Sequence, residues 1–161
     1  MKKPLLILGL VIVGAWAIVR WAGDGSKSLD GSDPRLVLNR VWIDRIPEKP
    51  KDTANLFATI SRQKIGVFQS GSQYKGGYEL FNFTAVGGEL RIVYPQTDQT
   101  EMVTARAWKC REEHMDYCLE LAGASRGVKR YHSMDGWEIG DATRPEQLLQ
   151  RTATIMRAPR E

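Results

Sequence analysis

The stretch YELFNFTAVGGELRIVYP, residues 78–95, indicates the fold class of this 161-residue chain. Its first half alternates so that Phe81 and Phe83 share one face, and its second half does the same with Leu90 and Ile92. Between them, VGGE carries the glycines of a tight turn, which joins the two halves into a hairpin. A hairpin with one apolar and one polar face is typical of an antiparallel β-domain.

Similar short apolar stretches continue outward from this hairpin between residues 35 and 133, separated by segments rich in Gly, Pro, Asp or Asn. No long helical period interrupts them, so the spacing predicts an antiparallel meander of about eight strands. Such a meander closes into an up-and-down barrel or remains an open sandwich, and we predict the barrel. The predicted strands are RLVLNRVWIDRI (35–46), ANLFATIS (54–61), IGVFQS (65–70), YELFNFTA (78–85), LRIVYP (90–95), EMVTARAWKC (101–110), YCLELAG (117–123) and GVKRYHS (127–133).

The strands are followed by a predicted amphipathic helix over residues 143–157. Thr143 and Glu146 have the spacing of a capping box, and Pro145 suits the first helical turn. We expect the apolar stripe of this helix to pack on the barrel wall; the alternative is a helix that binds a partner. The stripe consists of Leu148, Leu149, Thr152, Ile155 and Met156.

The N-terminus reads as a membrane segment. Lys2 and Lys3 precede sixteen uncharged, mostly aliphatic residues, Pro4–Val19. This run lies between the length of a signal-peptide core, roughly 7 to 15 residues, and that of a spanning helix, about 20. We predict an uncleaved single-pass anchor in a bacterial inner membrane, with the rest of the chain in the periplasm. The alternative is a cleaved signal peptide and a secreted or periplasmic protein. The predicted division is therefore 1–22 anchor, 23–34 flexible linker and 35–161 barrel domain with its C-terminal helix.

Charge argues against nucleic acid as a partner. Of the 23 basic residues, Lys2, Lys3 and Arg20 precede Asp24, the first acidic residue. The remainder of the chain carries 20 basic and 19 acidic side chains, so the predicted domain is almost neutral. The basic balance of the chain is an N-terminal property and indicates no nucleic-acid binding.

Both cysteines lie in AWKCREEHMDYCLELAG, residues 107–123. A structural zinc centre needs four ligands, and Cys110, Cys118 and His114, with His132 as the other histidine, lack a zinc-knuckle spacing. A thiol-redox centre favours Cys-x-x-Cys. We therefore predict no metal and no cofactor but a disulfide between Cys110 and Cys118 across a hairpin, which an exported compartment permits. Two free thiols in a reducing cytoplasm are the alternative.

The predicted pairing also divides the hairpin into two faces. With the cysteines directly opposite each other, Ala107 faces Leu121, and Ala105 faces Gly123. Arg106 and Glu120 then fall with the cysteines on the wetter face. The small alanines favour a cavity inside the barrel, whereas bulky Tyr78, Phe81, Phe83 and Tyr94 are predicted to fill much of it. The predicted interior lining is Val103, Ala105, Ala107, Leu119, Leu121, Phe81 and Phe83, with Tyr117 beside them.

The sequence contains no recognisable catalytic set. His132, Ser133 and Asp135 are the residue types of a hydrolase triad, but neighbours in sequence rarely point at one another as a triad requires. His114 lies in a charged turn, and there is no G-x-S-x-G elbow. The chain is therefore predicted not to be an enzyme.

Eight antiparallel strands, an early Trp, a late Arg and a C-terminal helix resemble the lipocalin and calycin superfamily. The matching residues are Trp42 in NRVWIDR and Arg130 in VKRYHS. In that family, a Trp on the first strand and an Arg on the last pack together at the closed end of the barrel. The family has Gly two residues before the Trp, where this chain has Arg40. The resemblance implies a barrel whose cavity holds a small apolar ligand.

Two functions are consistent with these features. The first is a membrane-tethered periplasmic domain that binds a small apolar ligand or lipid without catalysis. The alternative is a structural or interaction subunit of a cell-envelope complex, which docks a protein partner through a sheet edge or its C-terminal helix. The packing of the barrel interior distinguishes them, because an interior filled by bulky side chains leaves no room for a ligand.

Overall fold

The computed structural model describes residues 32–140, 143–144, 146–147, 150 and 153–155. These residues form a closed antiparallel barrel in which each strand pairs with its sequence neighbour and the eighth returns to the first. The predicted up-and-down barrel is thus confirmed. The elements are α1 (Pro34–Val37), β1 (Val41–Ile43), β2 (Ala54–Ile60), β3 (Ile65–Gly71), β4 (Gly76–Val86), β5 (Glu89–Tyr94), β6 (Gln99–Lys109), β7 (Tyr117–Ala122) and β8 (Arg130–Ser133).

Two long strands give the barrel its stagger. β4 pairs with β3 along Gly76–Asn82 and with β5 along Asn82–Val86. β6 is divided between β5 and β7 in the same way, with Thr104 as the shared residue. When the two halves of a strand pair with different neighbours, the register shifts around the sheet, as closure of a barrel requires.

The seam between β1 and β8 is short, and the chain beyond β8 completes it. Ile43 pairs with His132 across the seam. Beyond that pair, the amide of Val41 donates to the carbonyl of Trp137 at 3.0 Å, and the amide of Ile139 donates to the carbonyl of Asn39 at 2.7 Å. Residues that follow the last strand therefore provide ladder bonds that β8 does not.

The first predicted strand, residues 35–46, is wrong in its first half. The Asp33 carboxylate accepts a hydrogen bond from the amide of Arg35 at 2.9 Å, and Pro34 occupies the first turn of α1. A capping side chain followed by proline starts a helix, and these signals outweigh the aliphatic pattern that indicated a strand. The strand begins only at Val41.

Aromatic rings fill the barrel interior. The ring of Phe81 packs against those of Phe57 and Phe68, with centroids 6.0 and 5.1 Å away. A Cβ atom on Gly66 would overlap Phe81 Cζ, so this ring rests directly on the backbone of β3. The interior cluster consists of Val37, Trp42, Phe57, Phe68, Phe81, Phe83, Leu90, Ile92, Tyr94, Val103, Ala105, Ala107, Tyr117, Leu119, Leu121 and Tyr131.

A second apolar cluster covers the outside of β1, β2 and β3. β2 is buried along both faces, which explains its nearly continuous apolar sequence. Met115 from the β6–β7 loop and Ile139 from beyond β8 are buried against this outer face. The strand residues of this cluster are Val41, Ile43, Ala54, Leu56, Ala58, Ile60 and Val67.

The predicted terminal elements lie largely outside the described residues. Within the predicted C-terminal helix, residues 146–147, 150 and 153–155 are helical, and Ile155 packs against the outer cluster. Leu148, Leu149, Thr152 and Met156 are not described, so the full helix over residues 143–157 remains a prediction. The same holds for the anchor over residues 1–22. Among the described residues, no helix combines the length and hydropathy needed to cross a membrane.

Candidate functional site

The Cys110–Cys118 disulfide joins the β6–β7 loop to β7. The register of this hairpin pairs Ala107 with Leu119 and Ala105 with Leu121, two residues away from the predicted register. The cause is the position of Cys110, which lies past the end of β6 and reaches Cys118 from the loop. A shift of two residues keeps every side chain on its predicted face.

All seven residues predicted to line the interior belong to the interior cluster. Tyr78, which we expected to help fill the barrel, instead points outward and is 61% exposed. The reason is strand parity, because Tyr78 is an odd number of residues from inward-facing Phe81 and Phe83. Cys118 lies on the outer face, yet it is fully buried.

Polar side chains gather around the disulfide. β7–β8 pairing sets Cys118 opposite His132, and Arg130 lies two residues before that histidine. Glu112, in the β6–β7 loop, approaches from outside and accepts hydrogen bonds from the Arg130 guanidinium at 2.6 Å. We call Cys110, Glu112, Cys118, Arg130 and His132 the disulfide corner.

The predicted closing pair of Trp42 and Arg130 is not formed. Trp42 is fully buried inside the barrel, and its indole Nε1 donates to the carbonyl of Val37 at 3.2 Å. Arg130 lies on the outer face, where its guanidinium binds Glu112 and stacks on the Trp108 ring. The alternation along β8 points Tyr131 inward and therefore Arg130 outward.

Arg40 lies at the barrel end capped by α1. Its guanidinium is 4.1 Å from the centroid of the Tyr117 ring, donates to the carbonyl of Met134 at 2.8 Å and forms an ion pair with Glu138. Arg40 is almost completely buried. The cation thus closes this end of the barrel over Tyr117. Sequence reasoning treated Arg40 only as a departure from the lipocalin pattern and missed this role.

The β7–β8 loop, residues 123–129, closes the opposite end. Arg126 donates to Glu79 and to Gln99, both at 2.8 Å, and its guanidinium is 4.6 Å from the centroid of the Tyr94 ring. The amide of Ser125 donates to Glu101 at 3.0 Å. The loop therefore contacts three strands, β4, β5 and β6. The glycines at 123 and 127 are the sequence signal that could have indicated a tight turn closing this end.

Two interior tyrosines have strongly shifted ionisation. Burial raises the pKa of Tyr94, and its hydrogen bond to Glu101 raises it further. Burial also raises the pKa of Tyr131 to about 12, although the Val128 amide that donates to its hydroxyl partly opposes this shift. Both hydroxyls therefore remain protonated in the folded protein well into alkaline solution.

These shifts predict a loss of stability at high pH. An unfolded tyrosine ionises near pH 10, whereas Tyr131 in the folded barrel holds its proton to about pH 12. Its contribution is fully present below pH 10 and is lost as the pH rises towards 12, because only the unfolded chain then releases the proton. Between pH 10 and 12, the free energy of unfolding measured with urea should fall by on the order of 2–3 kcal/mol more in the wild type than in Tyr131→Phe. Parallel pH curves for the two proteins would contradict the assignment.

His132, Ser133 and Asp135, the three triad-type residues, contact separate structural partners. Ser133 Oγ donates to the carbonyl of Val41 at 2.7 Å, and Asp135 accepts from the hydroxyl of Tyr117 at 2.7 Å. His132 turns towards Glu112 instead. His114, the other histidine, is exposed in the β6–β7 turn with φ 60°. The structure does not assemble these side chains into a triad.

A shallow apolar groove of ≈ 150 Å³ lies beside α1. Its walls come from α1, from the Gly87–Gly88 turn and from one residue each on β4, β5 and β6, namely Ala85, Leu90 and Ala105. A volume of this size accommodates about one benzene-sized group. Comparison with protein families, with curated proteins and with solved structures finds no match for this chain.

Proposed function

We propose that this barrel is a non-catalytic interaction subunit of a cell-envelope complex that docks a protein partner on its outer wall. The observation that carries the proposal is the filled interior. Aromatic rings occupy the space in which a lipocalin-like barrel would hold a ligand, α1 caps one end, and the β7–β8 loop crosses the other. Because the filled interior leaves no room for a ligand, a partner is expected to bind on the outer wall of the barrel.

The outer face of β4, β5 and β6 is the best candidate for the docking surface. The outer face of β1–β3 is already covered by the apolar cluster that includes Met115 and Ile139. On β4–β6, by contrast, Tyr78 is 61%, Val86 79% and Met102 55% exposed. We call the outward side chains of β4, β5 and β6 the open face.

The composition of the open face suits a protein partner. Arg91 pairs with Met102 across β5 and β6 and with Thr84 across β4 and β5, so a cation and a thioether lie side by side. Tyr, Met and Arg are enriched at protein interfaces, whereas bulk hydrophobicity does not distinguish a reversible interface. This mixture therefore indicates a protein partner that binds reversibly, rather than a lipid surface.

The predicted membrane anchor supports this proposal physically. An anchor at residues 1–22 and a linker would confine the domain to a thin layer next to the inner membrane. The predicted linker bounds of 23–34 are too long at the C-terminal end, because Asp33 and Pro34 cap and begin α1. Confinement raises the effective concentration of any partner in the same layer, so a modest open face supports a useful occupancy. We therefore place the partner among membrane-bound proteins of the envelope.

Site-specific photocrosslinking in the native host tests the open face. With the full chain expressed at its natural level, a photoreactive residue at Arg91 should give one discrete protein adduct. The same residue at Lys51, which is exposed in the β1–β2 loop, should give none. Met102→Glu should abolish the Arg91 adduct by placing a charge in the interface, whereas Lys51→Glu should leave it intact. An equal adduct pattern at both positions, or no adduct at Arg91, would overturn the proposal.

The groove beside α1 favours a second candidate function, which is binding of a small apolar ligand. This function can be tested directly. The interaction proposal expects no saturable uptake of a hydrophobic fluorophore by the purified protein. Saturable uptake that is displaced by a fatty acid, and that Ala85→Trp removes while Val86→Trp retains, would favour ligand binding instead. Ala85 lines the groove and Val86 points outward, so the pair separates filling of the groove from a general effect of tryptophan.

A further inference from the structure

Four side chains with metal-ligating atoms converge at the disulfide corner. Ligand atoms of Glu112, Cys118 and His132 all lie within 4.8 Å of one another. Cys110 is bonded to Cys118 and so brings a second sulfur to the same point. The set contains two sulfurs, one imidazole and one carboxylate, which are the donor types of tetrahedral zinc sites.

The imidazole of His132 has a ring nitrogen without a hydrogen-bond partner on the side of this cluster. Its Nε2 atom is buried and has no hydrogen-bond partner among the described residues, and His132 as a whole is 7% exposed. The carboxylate oxygen Oε2 of Glu112 lies 3.7 Å from this nitrogen. A buried polar nitrogen without a partner costs about 1–3 kcal/mol, so its presence calls for a physical explanation.

We infer that reduction of the Cys110–Cys118 disulfide converts the disulfide corner into a Zn²⁺ site with Cys110, Cys118, His132 and Glu112 as ligands. In the oxidised protein the sulfurs are joined and carry no thiolate charge, so the set is incomplete. In the reduced protein the metal satisfies His132 Nε2 and both thiolates. Soft sulfur ligands select Zn²⁺ over Mg²⁺ and Ca²⁺.

The chemistry balances with a dithiol reductant. The reductant supplies two electrons and two protons, the Cys110–Cys118 bond breaks to give two thiols, and the reductant becomes a disulfide. Zn²⁺ then displaces both thiol protons to solvent, and each thiolate donates an electron pair to the metal. The site thus couples the redox state of the compartment to metal occupancy.

The local structure allows the required movement. In a tetrahedral site with Zn–S bonds of about 2.3 Å, the two sulfurs lie roughly 3.8 Å apart, so one sulfur must withdraw from the other. Cys110 can make this movement because it lies in the loop beyond β6. Cys118 and His132 are paired strand residues and keep their positions.

Arg130 balances the charge of the occupied site. Two thiolates and one carboxylate around Zn²⁺ leave one net negative charge. The guanidinium of Arg130 lies 2.6 Å from the carboxylate of Glu112 and 3.9 Å from Cys118 Sγ, and it supplies the compensating positive charge. Since the two oxygens of a carboxylate can serve different partners, Glu112 can bind Arg130 and the metal together.

Zinc titration of the full-length protein tests the inference. The protein is reduced without oxygen by a phosphine, which avoids a competing dithiol, and Zn²⁺ binding is followed against a chromophoric chelator. We expect one Zn²⁺ per chain in the reduced protein and none in the oxidised protein. Co²⁺ in place of Zn²⁺ should give the intense thiolate-to-metal absorption that only sulfur ligation produces.

Matched variants decide which residues bind the metal. His132→Gln should weaken Zn²⁺ binding by about 100-fold, whereas His114→Gln, in the exposed turn, should have no effect. Glu112→Gln and its neighbour Glu113→Gln form a second pair with the same expectation. Equal affinities within both pairs, or equal uptake by the oxidised protein, would overturn the inference.

Circular dichroism before and after addition of metal keeps the test valid if reduction loosens the fold. Should the reduced chain unfold, a native site predicts that Zn²⁺ restores the barrel spectrum, because metal binding to a folded site is linked to folding. Uptake of Zn²⁺ without recovery of the barrel would show binding to unfolded chain and would equally overturn the inference.

Discussion

Replacing Trp42 with alanine is expected to lower the free energy of unfolding by about 3–5 kcal/mol. The side chain is fully buried among the interior rings. Removal of the indole creates a large cavity and also leaves the carbonyl of Val37 without the donor that now satisfies it. Urea unfolding of the purified protein, followed by circular dichroism, measures the loss.

Trp42→Phe separates the two contributions to this loss. Phenylalanine keeps most of the ring volume but cannot donate to Val37, so it should cost only about 1–2 kcal/mol. A Trp42→Ala variant that loses less than about 1 kcal/mol would contradict close packing of the interior. Equal losses in the two variants would assign the whole effect to the hydrogen bond between Trp42 and α1.

Gly127→Ala should lower the free energy of unfolding by about 3 kcal/mol, the sum of a conformational and a steric cost. Gly127 has φ +69°, a conformation that costs an L-residue about 1–2 kcal/mol. The new Cβ would also overlap the Tyr131 hydroxyl and lie 2.9 Å from Phe68 Cδ1. Neither buried ring can withdraw without disturbing the core, so the substitution adds the steric cost in full.

Gly136→Ala is the matched control for this prediction. Gly136 also has positive φ, +82°, but nothing lies within 4 Å of the position that a Cβ atom would occupy. Its substitution should show the conformational cost alone, about 1–2 kcal/mol. The difference between the two variants, measured by the same urea unfolding, isolates the contact of the β7–β8 loop with the interior. Equal losses would mean that this loop does not rest on Tyr131 and Phe68.

Local alternation in the sequence was sufficient to predict most of the strands and their inward faces. The period of two along EMVTARAWK identified Val103, Ala105 and Ala107 as inward, and the structure places them in the interior cluster. The same rule, applied consistently, would have placed Tyr78 outside. The error at α1 was of another kind, because Asp33 and Pro34 set a helix start within an apolar segment that also suits a strand.

The disulfide corner and the two closed ends depend on contacts that local patterns do not encode. His132 meets Cys118 only through the β7–β8 register, which the β7–β8 loop sets. Glu112 reaches the corner from the β6–β7 loop, just before a turn in which Glu113 and His114 have positive φ. No local pattern marks Arg40 or Arg126 as closing the barrel ends, and only the closed barrel shows which rings lie beneath them.

The seam between β1 and β8 has a consequence for how the chain reaches its native state. The bonds that join β1 and its flanking residues to the far end of the chain connect positions more than ninety residues apart, such as Ser133 with Val41 and Arg40 with Glu138. Contacts between residues so far apart in the sequence form late, because a long loop must close before any of them stabilises the chain. Until Trp137 and Ile139 are in place, Asn39 and Val41 lack their backbone partners, and an incompletely paired edge is a hazard for aggregation. A chain truncated just after Ser133 would contain all eight strands and the Ile43–His132 pair, but it would lack the bonds of Trp137 and Ile139 that complete the seam.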